Sequence, residues 1–204
     1  LEEATAKRYL PATELSKLKS TTASNPQCEY ARKLFLFSYY CYGISFIDMA
    51  MLTTAHIKQM EDGDYIVYKR QKIKRQKGVK PISIKITPAI RQLIGSLQAA
   101  SPTVDDFLLP IVTRSGYTGE RLYMHIRTRY SKYQKYLRLL AEELGIDFHL
   151  TSYVSRHTAA MTLQRNHIPR EVISQMLGHA DLETTNIYLD SFDNEVINEA
   201  AKVL

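Results

Sequence analysis

Signals for starting and stopping α-helices follow one another along most of this chain, and a single stretch breaks the pattern. Asn25-Pro26 sets a capping side chain ahead of a proline suited to the first helical position. Leu34, Phe37, Ser38 and Cys41 follow at helical spacing, up to a stop at Gly43. Residues 45–48 have the S-x-x-D form of a new helix start, which buries Phe46, Met49 and Leu52. The break comes at Tyr65-Ile66-Val67-Tyr68 and Ile82-Ser83-Ile84-Lys85-Ile86, both β-prone. They predict a β-hairpin with a lysine-rich tip. Helices then resume. Thr87-Pro88 opens one over about residues 88–100, and a looser stretch with Pro102, Pro110, Gly116 and Gly119 leads to a long one over about 123–144, closed by Gly145. Thr151 caps a helix reaching about residue 165, and Pro169 opens another that Gly178 stops. A short helix is expected around Tyr188 and an amphipathic one from about residue 191. The expected fold is mainly α with a small β-hairpin or sheet. No internal repeat or long linker divides the chain, so residues 1–204 are read as one domain.

Composition limits the function classes. Apolar residues make up 45% and charged residues 24%, as in ordinary globular domains. No apolar run approaches the ~18 residues of a membrane span, and no secretory leader opens the sequence. Cys28 and Cys41 are read as reduced, buried thiols, and a cytoplasmic location is expected. The net charge of +6 favours an anionic partner. Its placement is more telling. Lys69, Arg70, Lys72, Lys74, Arg75, Lys77 and Lys80 crowd the expected hairpin. Arg121, Arg127, Arg129, Lys132, Lys135 and Arg138 form a second basic stretch, interleaved with Tyr123, Tyr130, Tyr133 and Tyr136. Such cations bind a phosphate backbone by releasing its counterions. Charge alone leaves two solvated faces as an equal reading.

Three short motifs near the C-terminus carry chemistry. They are Tyr153-Val154-Ser155-Arg156-His157, Leu177-Gly178-His179 and Thr184-Thr185-Asn186-Ile187-Tyr188-Leu189. Each alone is weak; together they match the needs of phosphodiester cleavage. Charge that builds on the non-bridging oxygens calls for positioned cations and donors. Arginine binds two phosphate oxygens with its planar fork and stays charged. Histidine donates or moves protons near neutral pH. A lysine on the hairpin can protonate the leaving 5′ oxygen. A tyrosine nucleophile conserves the broken bond in a phosphotyrosyl link, so religation needs no ATP. No metal or other cofactor is expected.

This order of lysine on a hairpin, Arg-His, Gly-His and a tyrosine nine residues later (188 minus 179) resembles the tyrosine recombinase, or phage integrase, family. Upstream, Phe35-Leu36-Phe37-Ser38-Tyr39-Tyr40 and Gly43-Ile44-Ser45-Phe46-Ile47-Asp48-Met49-Ala50 resemble its first catalytic box, in the wording of conjugative-transposon integrases. The resemblance implies a mainly helical catalytic domain with a small sheet. It makes Tyr188 the nucleophile, Arg156 and His179 the groups on the scissile phosphate, and Lys72 the general acid, with Lys74 and Lys77 as rivals. Lys69, Lys74, Arg75, Lys77, Arg127, Arg129 and Lys132 are the expected DNA contacts.

Two positions depart from the family. Tyr153 stands where histidine is usual, three residues before Arg156, and its hydroxyl can still donate to phosphate. Ser45 stands where the first arginine is usual, as it does in related mobile-element integrases; Arg70 is the expected substitute. The resemblance implies double-stranded DNA as partner, a monomer in isolation, a tetramer on DNA, a tail from residue 191 docking in trans, and a DNA-clamping domain that is not in this sequence. A type IB topoisomerase shares the chemistry. A non-catalytic helix-turn-helix module over residues 158–189 is the alternative outside enzymes.

Overall fold

The computed structural model describes residues 9–75 and 79–179. Helices α1 (Ala12–Ser20), α2 (Pro26–Tyr40) and α3 (Phe46–Ala50) come first. Strands β1 (Ile57–Met60), β2 (Gly63–Tyr68) and β3 (Ile82–Lys85) follow, then α4 (Pro88–Ala100), α5 (Gly119–Glu143), α6 (Ser152–Arg165) and α7 (Arg170–Leu177). The expected short helix at Tyr188 and the amphipathic tail lie outside the described residues. Among the described residues, no helix is long and apolar enough to cross a membrane.

Helix α2 is the hub. It packs against α4, α5 and α6 and buries Cys28, Ala31, Leu34, Phe35, Leu36 and Phe37. These residues cover most of its circumference, so it behaves as an interior helix rather than an amphipathic one. A smaller cluster of Tyr9, Ala160, Met161, Ile173 and Leu177 holds α7 onto α6.

The sheet has three antiparallel strands in the order β1-β2-β3, where the sequence suggests only a hairpin. Ile57 faces Ile66 and Met60 faces Gly63 across the first pair; Tyr65 faces Lys85 and Tyr68 faces Ile82 across the second. Strand β1 escapes notice because Ile57-Lys58-Gln59-Met60 shows no period-two pattern and is mostly exposed. Residues 69–81 join β2 to β3, so the basic residues occupy a long connection, not a tight turn.

Most expected helix starts hold. The Asn25 Oδ1 accepts from the Gln27 and Cys28 amides at 2.9 and 3.3 Å. Thr87 Oγ1 accepts from the Ile90 amide at 3.4 Å. Thr151 is a correction: it occupies the cap position, but its side chain makes no cap bond. Gln134 Oε1 receives the Ser152 amide instead, at 2.8 Å, so α5 caps α6. Helix α5 also begins at Gly119, ahead of the expected residue 123.

Asn25 satisfies two amides that α2 leaves without helical partners. Asn25→Ala is expected to lower stability by about 1 kcal/mol, read as a shifted urea midpoint with an unchanged slope.

Candidate active site

The site is built around a turn that only glycine can make. Cys41 ends α2, Tyr42 and Gly43 take φ of 58° and 70°, and the Gly43 amide donates to Ser38 O at 2.7 Å. Ser38 Oγ donates to Ile44 O at 2.7 Å and lies 2.7 Å from Ser155 Oγ on α6. The turn is thereby pressed onto α6. A Cβ at Gly43 would lie 2.4 Å from the Arg156 Cα.

This close approach brings the Gly43 carbonyl to the side chain of Arg156, which is 4% exposed. One terminal nitrogen donates to Gly43 O at 3.1 Å, and the other donates to Leu177 O at 2.6 Å and meets His179 Nε2 at 2.8 Å. A guanidinium only donates, so His179 Nε2 accepts and its ring proton sits on Nδ1. His179 is aimed by the α7 C-cap, where Gly178 takes φ of 64° and the His179 amide donates to Ser174 O at 3.0 Å. Arg70 Nη1 donates to Gly178 O at 3.2 Å. A Cβ at Gly178 would lie 2.4 Å from Ile82 Cδ1, so α7 ends hard against the sheet.

Ser45 caps α3. It accepts from the Asp48 amide at 3.2 Å and donates to Asp48 Oδ2 at 2.6 Å. Asp48, 4% exposed, also accepts from the Gln71 amide at 2.7 Å through Oδ1. It thus anchors the start of the basic connection to α3. Lys72, the next residue, is exposed, and no contact joins it to Arg156 or His179 among the described residues. Its rival Lys74 donates to Gln71 Oε1 at 2.6 Å. Lys69 and Arg75 are exposed, while Lys77 and Tyr188 lie outside the described residues.

A pocket of about 460 Å³ opens between the turn, α3, α5 and α6. Ser45, Arg70, Arg127, Tyr153 and Arg156 all line it. Tyr153 is half exposed, its ring edge-on to His157 at 5.0 Å. Among the described residues, no aspartate or glutamate lines the pocket. Arg129 and Lys132 are not part of it. They line a second pocket of about 400 Å³ between α2, α4 and α5, with the Arg129 guanidinium 5.9 Å from the Tyr30 ring centre. Partial burial, and then Arg129, Arg114 and Lys132, hold the His125 pKa below the usual imidazole value. Asp48 and the Gly43 turn escaped the sequence reading as site parts. The S-x-x-D spacing pointed to the first only as a helix cap.

Comparisons with known proteins show the family and the fold. The model of the phage integrase family matches residues 8–195, and the chain belongs to that family. It is 43% identical over 54 residues to the tyrosine recombinase XerD of Halalkalibacterium halodurans, covering 26% of this chain and 18% of that protein. It is 31% identical over 114 residues to the XerC recombinase of Rhodospirillum centenum, covering 56% and 31%. The matched parts therefore span under a third of these curated relatives. Among solved structures, the XerA recombinase superposes with a TM-score of 0.64 at 22% identity, over 95% of this chain and 64% of that one. The Tn1549 transposon integrase in complex with transposon right end DNA gives 0.65 at 12%, over 100% and 68%. The fold is that of tyrosine recombinase catalytic domains.

Two glycines make opposite predictions. Gly43→Ala forces a side chain into α6 at positive φ and is expected to cost at least about 2 kcal/mol. Gly95 lies inside α4, where a Cβ would meet nothing within 4 Å. Gly95→Ala is expected to add about 0.5–1 kcal/mol. Urea unfolding of both variants checks the pair.

Proposed function

We propose that this chain is the catalytic domain of a site-specific DNA recombinase that cleaves one strand through Tyr188. The observation that supports it is one pocket that gathers Arg156, Arg70 and Tyr153, with no carboxylate among its described lining residues, and with His179 hydrogen-bonded to Arg156. In the proposed reaction the Tyr188 hydroxyl oxygen attacks the scissile phosphorus in line with the 5′ oxygen. The Tyr188 O–P bond forms, the P–O5′ bond breaks, and a 3′-phosphotyrosyl link results. Arg156 is held in place by backbone carbonyls before substrate arrives, so its charge needs little reorganisation at the transition state. His179 takes the phenol proton at Nε2 once the Arg156 contact there gives way to substrate; protonated, it donates to a phosphate oxygen. Tyr153 adds a neutral donor at the pocket mouth. Lys72 protonates the leaving oxygen from the connection that Asp48 anchors. Arg70 braces the Gly178 turn beside His179 and adds positive potential, a narrower part than full replacement of the first arginine.

The partner is double-stranded DNA, contacted along the phosphates by Lys69, Lys74, Arg75 and Lys77, and by α5 through Arg129 and Lys132. Strand exchange takes place in a tetramer on two duplexes, with the tail beyond residue 191 docked on a neighbouring copy. The isolated domain is a monomer in the cytoplasm. The reaction needs neither metal nor ATP.

A nicked duplex traps the covalent product, because the short strand released by cleavage diffuses away. With such a duplex, isolated by covalent capture from a randomised pool, the native chain is expected to form an adduct visible on a denaturing gel. Tyr188→Phe removes only the attacking oxygen and should abolish the adduct while DNA affinity changes little. An adduct at native level in Tyr188→Phe would refute the nucleophile.

Lys72 is tested with the same duplex carrying a 5′-bridging sulfur, whose leaving thiolate needs no proton. Lys72→Ala is expected to be slow on oxygen DNA and near native on sulfur DNA, whereas Arg156→Ala stays slow on both. Rescue of Lys74→Ala or Lys77→Ala instead would move the general acid along the connection.

A further inference from the structure

A cleaving phosphodiester exposes two non-bridging oxygens, and charge grows on both. Arg156 reaches the pocket with both terminal nitrogens already donating to backbone carbonyls. A second guanidinium on the same phosphate is therefore chemically valuable, and Ser45 cannot supply it. The Ser45 hydroxyl proton is given to Asp48 Oδ2 and its oxygen accepts the Asp48 amide. Nor is Arg70 at liberty. Its guanidinium donates to Gly178 O, and its Cδ lies 3.2 Å from where a Gly178 Cβ would stand. Moving it would loosen the turn that aims His179.

Across the same pocket stands Arg127 on α5. It is exposed and makes no ion pair or side-chain hydrogen bond among the described residues. Tyr123, four residues before it, and Tyr130, three after, lie on the same helix face and line the same pocket. Phe46, the first residue of α3 after Ser45, packs its ring 5.3 Å from that of Tyr130. The base of Arg127 is thus fixed against the very segment that carries Ser45, while its guanidinium is uncommitted.

We infer that Arg127 supplies the second guanidinium on the scissile phosphate, reaching from α5 into the place that Ser45 leaves without a cation. The inference rests on the proposed cleavage by Tyr188. Arg127 takes part in no bond change; it binds one non-bridging oxygen and offsets its charge in the transition state. Ser45 lines the same pocket as Arg127, so an arginine placed there is expected to reach the same phosphate.

The test uses the chain itself and the captured nicked duplex at saturating concentration, with the adduct-formation rate as readout and DNA affinity measured separately. Arg127→Ala is expected to slow adduct formation about a hundredfold while affinity falls only by the few-fold of one lost phosphate contact. Ser45→Arg, added to Arg127→Ala, is expected to restore the rate to within about tenfold of native. The same Ser45→Arg change in Arg70→Ala should restore little. A native rate in Arg127→Ala, or rescue by Ser45→Arg of Arg70→Ala and not of Arg127→Ala, would overturn the inference and leave the recombinase reading standing. An absence of Tyr188-dependent adduct from the native chain would overturn that reading, and this inference with it.

Discussion

The structure turns on one buried charge. A guanidinium with 4% of its residue exposed must have its donors met, because an unpaired buried cation costs several kcal/mol. Arg156 draws two pieces of chain around itself and makes three contacts with them: the Gly43 turn, and the end of α7 with the His179 ring that follows it. Breaking any one of them leaves the charge short of a partner. The geometry of the site and the local stability are thus a single constraint, and the three partners named are neutral groups that do not cancel its charge.

The two glycine turns follow from that clamp. At Gly43 the backbone must come within reach of α6, and at Gly178 the helix end must rest on Ile82 and Arg70. Neither approach tolerates a side chain, and both positions take positive φ. The clamp borders a pocket lined, among the described residues, by three arginines and four aromatic residues, with small and aliphatic residues completing the wall.

Much of this was legible from sequence, and the reasons for the gaps are physical. Helix starts at Asn25 and Thr87 were visible because a cap is a local matter, settled within a few residues. Thr151 misled for the opposite reason. Its helix is capped by Gln134, seventeen residues earlier by subtraction, and no local pattern records that. Strand β1 carried no period, since one face meets β2 and little else. Arg156, His179 and Tyr153 were found by spacing within short motifs. The parts contributed across the fold, Gly43 O and Asp48, became visible only when α2, α3 and α6 were set side by side; the α5 face was read only as a basic, tyrosine-rich stretch. Tyr188, the residue on which the chemical reading turns, was legible only as a motif.

The clamp also has a consequence for when the site can exist. Gly43 and Arg156 are 113 residues apart, and Leu177 and His179 come 21 and 23 residues after Arg156. A chain emerging from the ribosome exposes α2 and its turn long before α6 and α7 are made. The α2 core itself waits for α4, α5 and α6, its main neighbours, to emerge. The contacts around Arg156 wait longer still, because Leu177 and His179 leave the tunnel well after the turn they must meet. A nascent chain halted before α7 therefore has the start of the basic connection without the contacts that hold Arg156.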